Sequence, residues 1–338
     1  MVWLEYFACL VIIMFAGSKL SKYGDVIVKK TGLGGLWIGL VLIAVVTSAP
    51  EVTVGVSAAT LVGLPDLALG ALFGSCIFNL SILALLDILH GPVPILSRAR
   101  LGHVTSAAMG ILLLVIASGG ILAGKRFPGL AFGWVGISSV LILILYLVGV
   151  RQIFCLWLNR STQPPENDPP QYALITSKSV YLKFALTAIA VVGAGIWVSF
   201  VGDKIAETTG WGAGFVGNLF LAISTSMPEL VVAIAALRLN AINIAISVIL
   251  GANMLDILAI TWIDLFYTKG PVLAAVSNDH IITAMVAVIM NCIVIAGLFF
   301  KQKHKFFIVS SWYSPALIGL YIFGAYASFT SGAGLLNP

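Results

Sequence analysis

The chain has 338 residues, of which 60% are hydrophobic and only 9% charged, and its mean hydropathy is +1.09. A soluble globular protein covers its surface with roughly a quarter charged residues, so this composition excludes a cytosolic enzyme, a nucleic-acid binder and a disordered chain. What remains is an all-α polytopic membrane protein, and the formal charge of +5 reads as membrane topology.

A bilayer core of about 30 Å takes about 20 apolar residues per helix. In chain order, ten candidate transmembrane helices cover approximately 2–20, 33–60, 66–89, 101–123, 129–150, 179–202, 211–237, 241–266, 279–300 and 310–330. The first run has no basic leader and is kept as a span rather than a cleaved signal. These runs are longer and more continuous than the alternating segments of a transmembrane barrel. Residues 159–172 hold four prolines and no apolar run. They mark 151–178 as a cytoplasmic linker between a first five-helix repeat, 1–150, and a second, 179–338.

Basic residues give the orientation. Connections on one side carry fourteen Lys and Arg, while the other side has only Lys125, Arg126, Lys204 and Lys269. Cytoplasmic loops are enriched in Lys and Arg, so both termini are expected on the non-cytoplasmic side. The four cysteines show no disulfide or metal spacing.

Two motif pairs recur in order. Gly39–Glu51 reads G-L-V-L-I-A-V-V-T-S-A-P-E and Gly217–Glu229 reads G-N-L-F-L-A-I-S-T-S-M-P-E. Gly74–Asn79 reads G-S-C-I-F-N and Gly251–Asp256 reads G-A-N-M-L-D. With an odd number of spans per half, the second copy enters the membrane from the opposite side. This predicts two inverted five-helix repeats with a binding site near the midplane, the arrangement of secondary transporters.

Most acids fall near span ends. Asp87 and Asp264 read as interfacial, and His90, His103, His280 and His304, in or near loops, receive no role. Glu51, Glu229 and Asp256 sit deep in apolar runs, where each costs roughly 2.5–3.5 kcal/mol on insertion scales. No Lys or Arg lies mid-span to pair with them, so they imply bound protons or bound metal cations. Thr47 and Ser48 share a helix face with Glu51, and Thr225 and Ser226 repeat this with Glu229. Ser75 and Asn79 are one turn apart, as are Asn253 and Asp256. Pro50 and Pro228 lack an N–H and free carbonyls one turn back, near Val46 and Ser224. Such oxygen donors suit Ca²⁺ or Na⁺.

These residues resemble the calcium/cation antiporter superfamily, in its sodium/calcium exchanger branch. The T-S-x-P-E pair and the G-S-x-I-F-N pattern carry the likeness, which spans most of the chain. The resemblance implies a secondary antiporter, not an enzyme, that exchanges Ca²⁺ for Na⁺ by alternating access. It implies Glu51 and Glu229 as Ca²⁺ carboxylates, with backbone carbonyls from Thr47 and Thr225. It places Ser48, Ser226, Ser75 and the carbonyls of Ala44 and Ala222 at flanking Na⁺ sites, and Asn79 and Asp256 at the centre. No cofactor is expected: Ca²⁺ and Na⁺ are cargo, and the partners are the lipid bilayer and inorganic cations. The lack of a long regulatory loop suggests a microbial plasma membrane. Two departures matter. Ala252 stands where a serine hydroxyl is usual, and Cys76 replaces an asparagine. The first removes a Na⁺ ligand and keeps a Ca²⁺/H⁺ exchanger as the alternative. An intramembrane aspartyl protease would need paired aspartates in a G-x-G-D context, and a passive channel does not need inverted acidic repeats.

Overall fold

The computed structural model describes residues 1–31, 46–91, 93–127, 129–158, 177–301 and 311–332. The chain is a helical membrane fold. Among the described residues, seven helices are long and apolar enough to cross a membrane, or eight if a bent pair counts as one span.

Helix α1, Val2–Thr31, is longer than the expected first span and packs along α7, Ser177–Thr209, with Lys204 and Glu5 paired at 3.0 Å. The start of the second expected span lies outside the described residues. Its remainder is α2, Ala49–Ser57, continued by a π-helical turn, Ala58–Val62. Helices α3, Pro65–Leu89, and α10, Ile242–Phe266, are the most enclosed spans and cross against each other. Their apolar residues run all round the helix, as burial on every side requires.

A short helix α4, Ile95–Arg98, leads to α5, His103–Arg126. The fifth span begins later than expected. Residues 131–136 form an antiparallel hairpin, β1 Ala131–Phe132 with β2 Val135–Gly136, before α6, Ile137–Leu158. Gly133 has φ +65° in its tight turn, which glycine adopts without strain. The seventh expected span is broken. Helix α8, Ala213–Thr225, contains a π-helical turn at Gly217–Leu221 and meets α9, Met227–Arg238, at 43°. After α10 come a short helix α11, Val272–Ala275, then α12, His280–Phe299, and α13, Tyr313–Gly332. The proline-rich stretch of the linker lies outside the described residues.

Helix α3 packs backbone to backbone on the π-helical turn of α8. A Cβ on Gly74 or Gly217 would collide with the facing main chain, so only glycine permits this approach.

The sequence repeat is also a repeat of contacts. Asn243, at the start of α10, accepts the Arg100 backbone N–H at 2.9 Å and the His103 ring N–H at 3.2 Å. Asp66, at the start of α3, accepts the Ser277 backbone N–H at 2.7 Å and the His280 ring N–H at 2.9 Å. Asp87 ends α3 and holds the Ile95 N–H at 3.1 Å, while Asp264 ends α10 and holds the Val272 N–H at 2.6 Å. Each residue stands the same 177 positions from its counterpart, the separation that also joins Asn79 to Asp256. Asp87 and Asp264 are fully buried anchors for α4 and α11. This corrects the interfacial reading: a carboxylate leaves the interface when converging backbone donors replace water.

Candidate ion site

The two T-S-x-P-E motifs fold alike. The backbone leaves helical geometry at Ser48 (φ −81°, ψ 7°) and at Ser226 (φ −84°, ψ 4°), and a new helix starts at once. Pro50 and Pro228 fall in the first turns of α2 and α9, where an N–H would have no helical acceptor. Glu51 and Glu229 share those turns, with their carboxylates near the positive ends of the helix dipoles.

The repeats meet here. Ser226 Oγ donates to Glu51 Oε1 at 3.4 Å, and Ser75 Oγ lies 3.3 Å from Thr225 Oγ1. Asn79 Nδ2 donates to Asp256 Oδ2 at 3.3 Å. Thr47, Ser48, Ser75, Thr225, Ser226, Asn79, Glu51, Glu229 and Asp256 are all buried. The Ala222 carbonyl accepts the Ser226 N–H at 3.0 Å and Thr225 Oγ1 at 3.3 Å, so it belongs to the helix break. Ala44 lies outside the described residues.

Several buried acceptors have no hydrogen-bond donor: Glu51 Oε2, both oxygens of Glu229, Asp256 Oδ1, Asn79 Oδ1 and Asn253 Oδ1. Leaving such a group unpaired costs about 1–3 kcal/mol, and more when it is charged. The described ion pairs lie elsewhere, at Lys204–Glu5 and His280–Asp66. Among the described residues no three acid, histidine or cysteine side chains converge as a closed metal cage. A cation at this level would be held by one or two carboxylates together with hydroxyl, amide and carbonyl oxygens. That donor set fits Ca²⁺ and Na⁺ better than zinc, which prefers nitrogen and sulfur in a tight tetrahedron.

The residues also match a known family. The sequence profile described as "Sodium/calcium exchanger protein" matches residues 2–152 and 179–331. The chain belongs to the sodium/calcium exchanger family. It is therefore a polytopic membrane antiporter of cations rather than an enzyme. The inner membrane protein YrbG of Escherichia coli K12 is 26% identical over 292 residues, covering 83% of this chain and 84% of that protein. The sodium-calcium exchanger NCX_Mj superposes with a TM-score of 0.61 at 23% identity, over 96% of this chain and 99% of the other. An H⁺/Ca²⁺ exchanger, CAX, superposes at 0.72 with 15% identity, over 99% and 86%. At these identities the two solved structures show a shared fold.

Three further residues border the site: Cys76 and Asn253, which the repeated motifs display, and Asn218. Cys76 Sγ points at Asp256 Oδ2 (3.9 Å) and the Asn253 carbonyl (3.8 Å), while Asn253 Nδ2 donates back to the Cys76 carbonyl at 3.2 Å. Asn218 sits in the π-helical turn, donates to Thr283 Oγ1 at 3.3 Å and leaves its buried Oδ1 without a donor. The equal spacing of Cys76 and Asn253 within the two repeats was the signal for the first pair. Asn218 has Leu40 as its counterpart, so no repeat signal pointed to it.

Proposed function

We propose that the chain exchanges Ca²⁺ for Na⁺ across a membrane by alternating access. One observation carries this reading: Glu51 and Glu229 occupy matched helix breaks and converge on a buried set of unpaired oxygens. Two carboxylates about 5 Å apart repel by roughly 3 kcal/mol at an effective dielectric of 20. Cation binding relieves this repulsion, which favours exchange over passage of the empty carrier. Glu51 and Glu229 hold Ca²⁺, with carbonyls from Thr47 and Thr225. Ser48, Ser75, Ser226 and the carbonyls of Ala44 and Ala222 serve Na⁺, and Asn79 and Asp256 occupy the centre.

The proposal includes ten spans in two inverted repeats, 1–150 and 179–338, joined by a cytoplasmic linker, 151–178. Both termini lie outside the cytoplasm of a microbial plasma membrane. The reciprocal contacts at a constant separation and the match of the family profile in two stretches support this arrangement. No cofactor is needed beyond the transported ions.

A Ca²⁺/H⁺ exchange is the second reading, and Ala252 is the observation that favours it. Its counterpart Ser75 meets Thr225, whereas Ala252 offers no hydroxyl to Thr47. The deciding measurement is ⁴⁵Ca²⁺ uptake into proteoliposomes at clamped pH and voltage, with and without a Na⁺ gradient. Uptake driven by Na⁺ supports the first reading, and uptake that follows only a proton gradient replaces it with the second. Ala252→Ser is expected to lower the Na⁺ concentration for half-maximal exchange. An unchanged or raised value removes Ala252 from the Na⁺ site.

A further inference from the structure

A cleft of about 380 Å³ lies between α5, the start of α6 and α11, away from the ion site. Its volume is within the range of small-molecule sites, roughly 300–1,000 Å³. Gly119 leaves a gap in the lining, since a Cβ there would meet no atom within 4 Å. Gly120 and Gly124 instead face protein, where a Cβ would press on Ser138 and Leu273 or on Ala274, so they let α5 pack closely on α6 and α11. Val115 and Leu141, both exposed, line the cleft, so it opens on the face that meets lipid.

The polar features gather at one end. Ser139 lines the cleft with a buried hydroxyl that has no hydrogen-bond partner. Asp264 also lines it, but its oxygens are engaged by the Gly136 and Val272 N–H groups at 2.7 and 2.6 Å. Those donors offset its charge. Exposed Lys125 and Arg126 end α5 beside the lining residues Gly124 and Phe127. Exposed Lys269 lies two residues before Pro271, another lining residue. These are three of the four basic residues on the side of the protein that is otherwise poor in them, and the fourth, Lys204, is paired with Glu5. Among the described residues, none of the three forms an ion pair within 4 Å, although the Lys125 charge acts on the Asp66 carboxylate, which His280 already engages. Exposed Phe127 lines the same end, exposed Phe132 and Trp134 lie in the hairpin just before the lining residues Gly136 and Ile137, and the Trp134 indole donates to the Leu265 carbonyl at 3.1 Å. Aromatic side chains of this kind mark headgroup depth.

We propose that this cleft binds one anionic phospholipid. An acyl chain lies in the cleft past Gly119, between Val115 and Leu141, the Ser139 hydroxyl donates to an ester carbonyl, and the phosphate rests among Lys125, Arg126 and Lys269. Charge complementarity selects an anionic headgroup over a zwitterionic one, since each nearby basic residue adds attraction to an anionic lipid.

The test is native mass spectrometry of the purified full chain after incubation with phosphatidylglycerol or phosphatidylcholine of equal chain length. Wild type is expected to retain one phosphatidylglycerol, at least about tenfold more than phosphatidylcholine. Replacing Lys125, Arg126 and Lys269 together by glutamine is expected to erase the preference. Gly119→Leu places a side chain in the cleft and is expected to lose both lipids. Equal retention of the two lipids by wild type overturns the proposal, as does retention of a second copy of the chain in place of lipid. Retention unchanged in Gly119→Leu also overturns it. Ca²⁺ uptake by the same preparations reports on the ion site separately.

Discussion

Glu51→Gln and Glu229→Gln are each expected to abolish Ca²⁺ exchange while the protein still folds. Glutamine keeps the size and one carbonyl oxygen of glutamate but removes the charge that offsets Ca²⁺ desolvation. Breaking a buried charge pair by removing one partner costs about 3–5 kcal/mol, which is a loss of at least about 100-fold in Ca²⁺ affinity. The fold is spared for a physical reason. The acids crowd one another with few donors, so neutralising one relieves repulsion in the cation-free protein. Thermal unfolding in detergent separates the two effects. Wild type should unfold at higher temperature as Ca²⁺ is added, because a ligand of the native state stabilises it. The glutamine variants should match wild type without Ca²⁺ and gain nothing from it. Near-normal exchange in either variant would sink the assignment of the site.

The second large effect is structural. Asp87 is fully buried and accepts the Ile95 N–H, the Ser311 N–H at 2.8 Å and Oγ at 2.9 Å, Tyr313 Oη at 2.7 Å and Ser314 Oγ at 2.8 Å. It joins the end of α3 to α4 and to the start of α13. Asp87→Ala strips the acceptor from all these donors, each worth roughly 1–3 kcal/mol when left buried and unpaired. Water entering the space recovers part of this, so a net loss of about 4 kcal/mol is expected, large for one substitution. The unfolding midpoint in detergent should fall by on the order of 10 °C. Asp87→Asn keeps one acceptor oxygen and should fall between. A midpoint unchanged in the alanine variant contradicts the anchoring role.

Much of the candidate site is legible in the sequence. The motif pair located Glu51, Glu229, Thr47, Thr225, Ser48 and Ser226, and the prolines explain why both helices break beside them. The longest apolar runs gave α3, α5, α10 and α12 nearly to the residue. The hairpin at 131–136 was hidden because a few apolar residues ahead of a long apolar run read as part of it. Asp66, Asp87, His103, Asn243, Asp264 and His280 were unreadable for another reason. Each acts through a partner on a distant helix, and helical periodicity carries no information about which helices become neighbours. Their constant separation was present in the sequence, but it gains meaning only once the two copies are known to clasp each other.

The Asp87 anchor also bears on how the chain is made. Ile95 emerges from the ribosome soon after Asp87, but Ser311 follows it by 224 residues. At roughly 5–20 residues per second, that interval lasts about 10–45 s. Throughout it the acid must be kept from the hydrocarbon by water, by the insertion machinery or by passing contacts. The first half can therefore enter the membrane early but reaches its final packing only when Ser311 and the start of α13 arrive. The packing of α3 against α4 is thus finished by residues made much later, and a ribosome that stalls before Ser311 leaves the Asp87 carboxylate without three of its side-chain donors and one backbone donor.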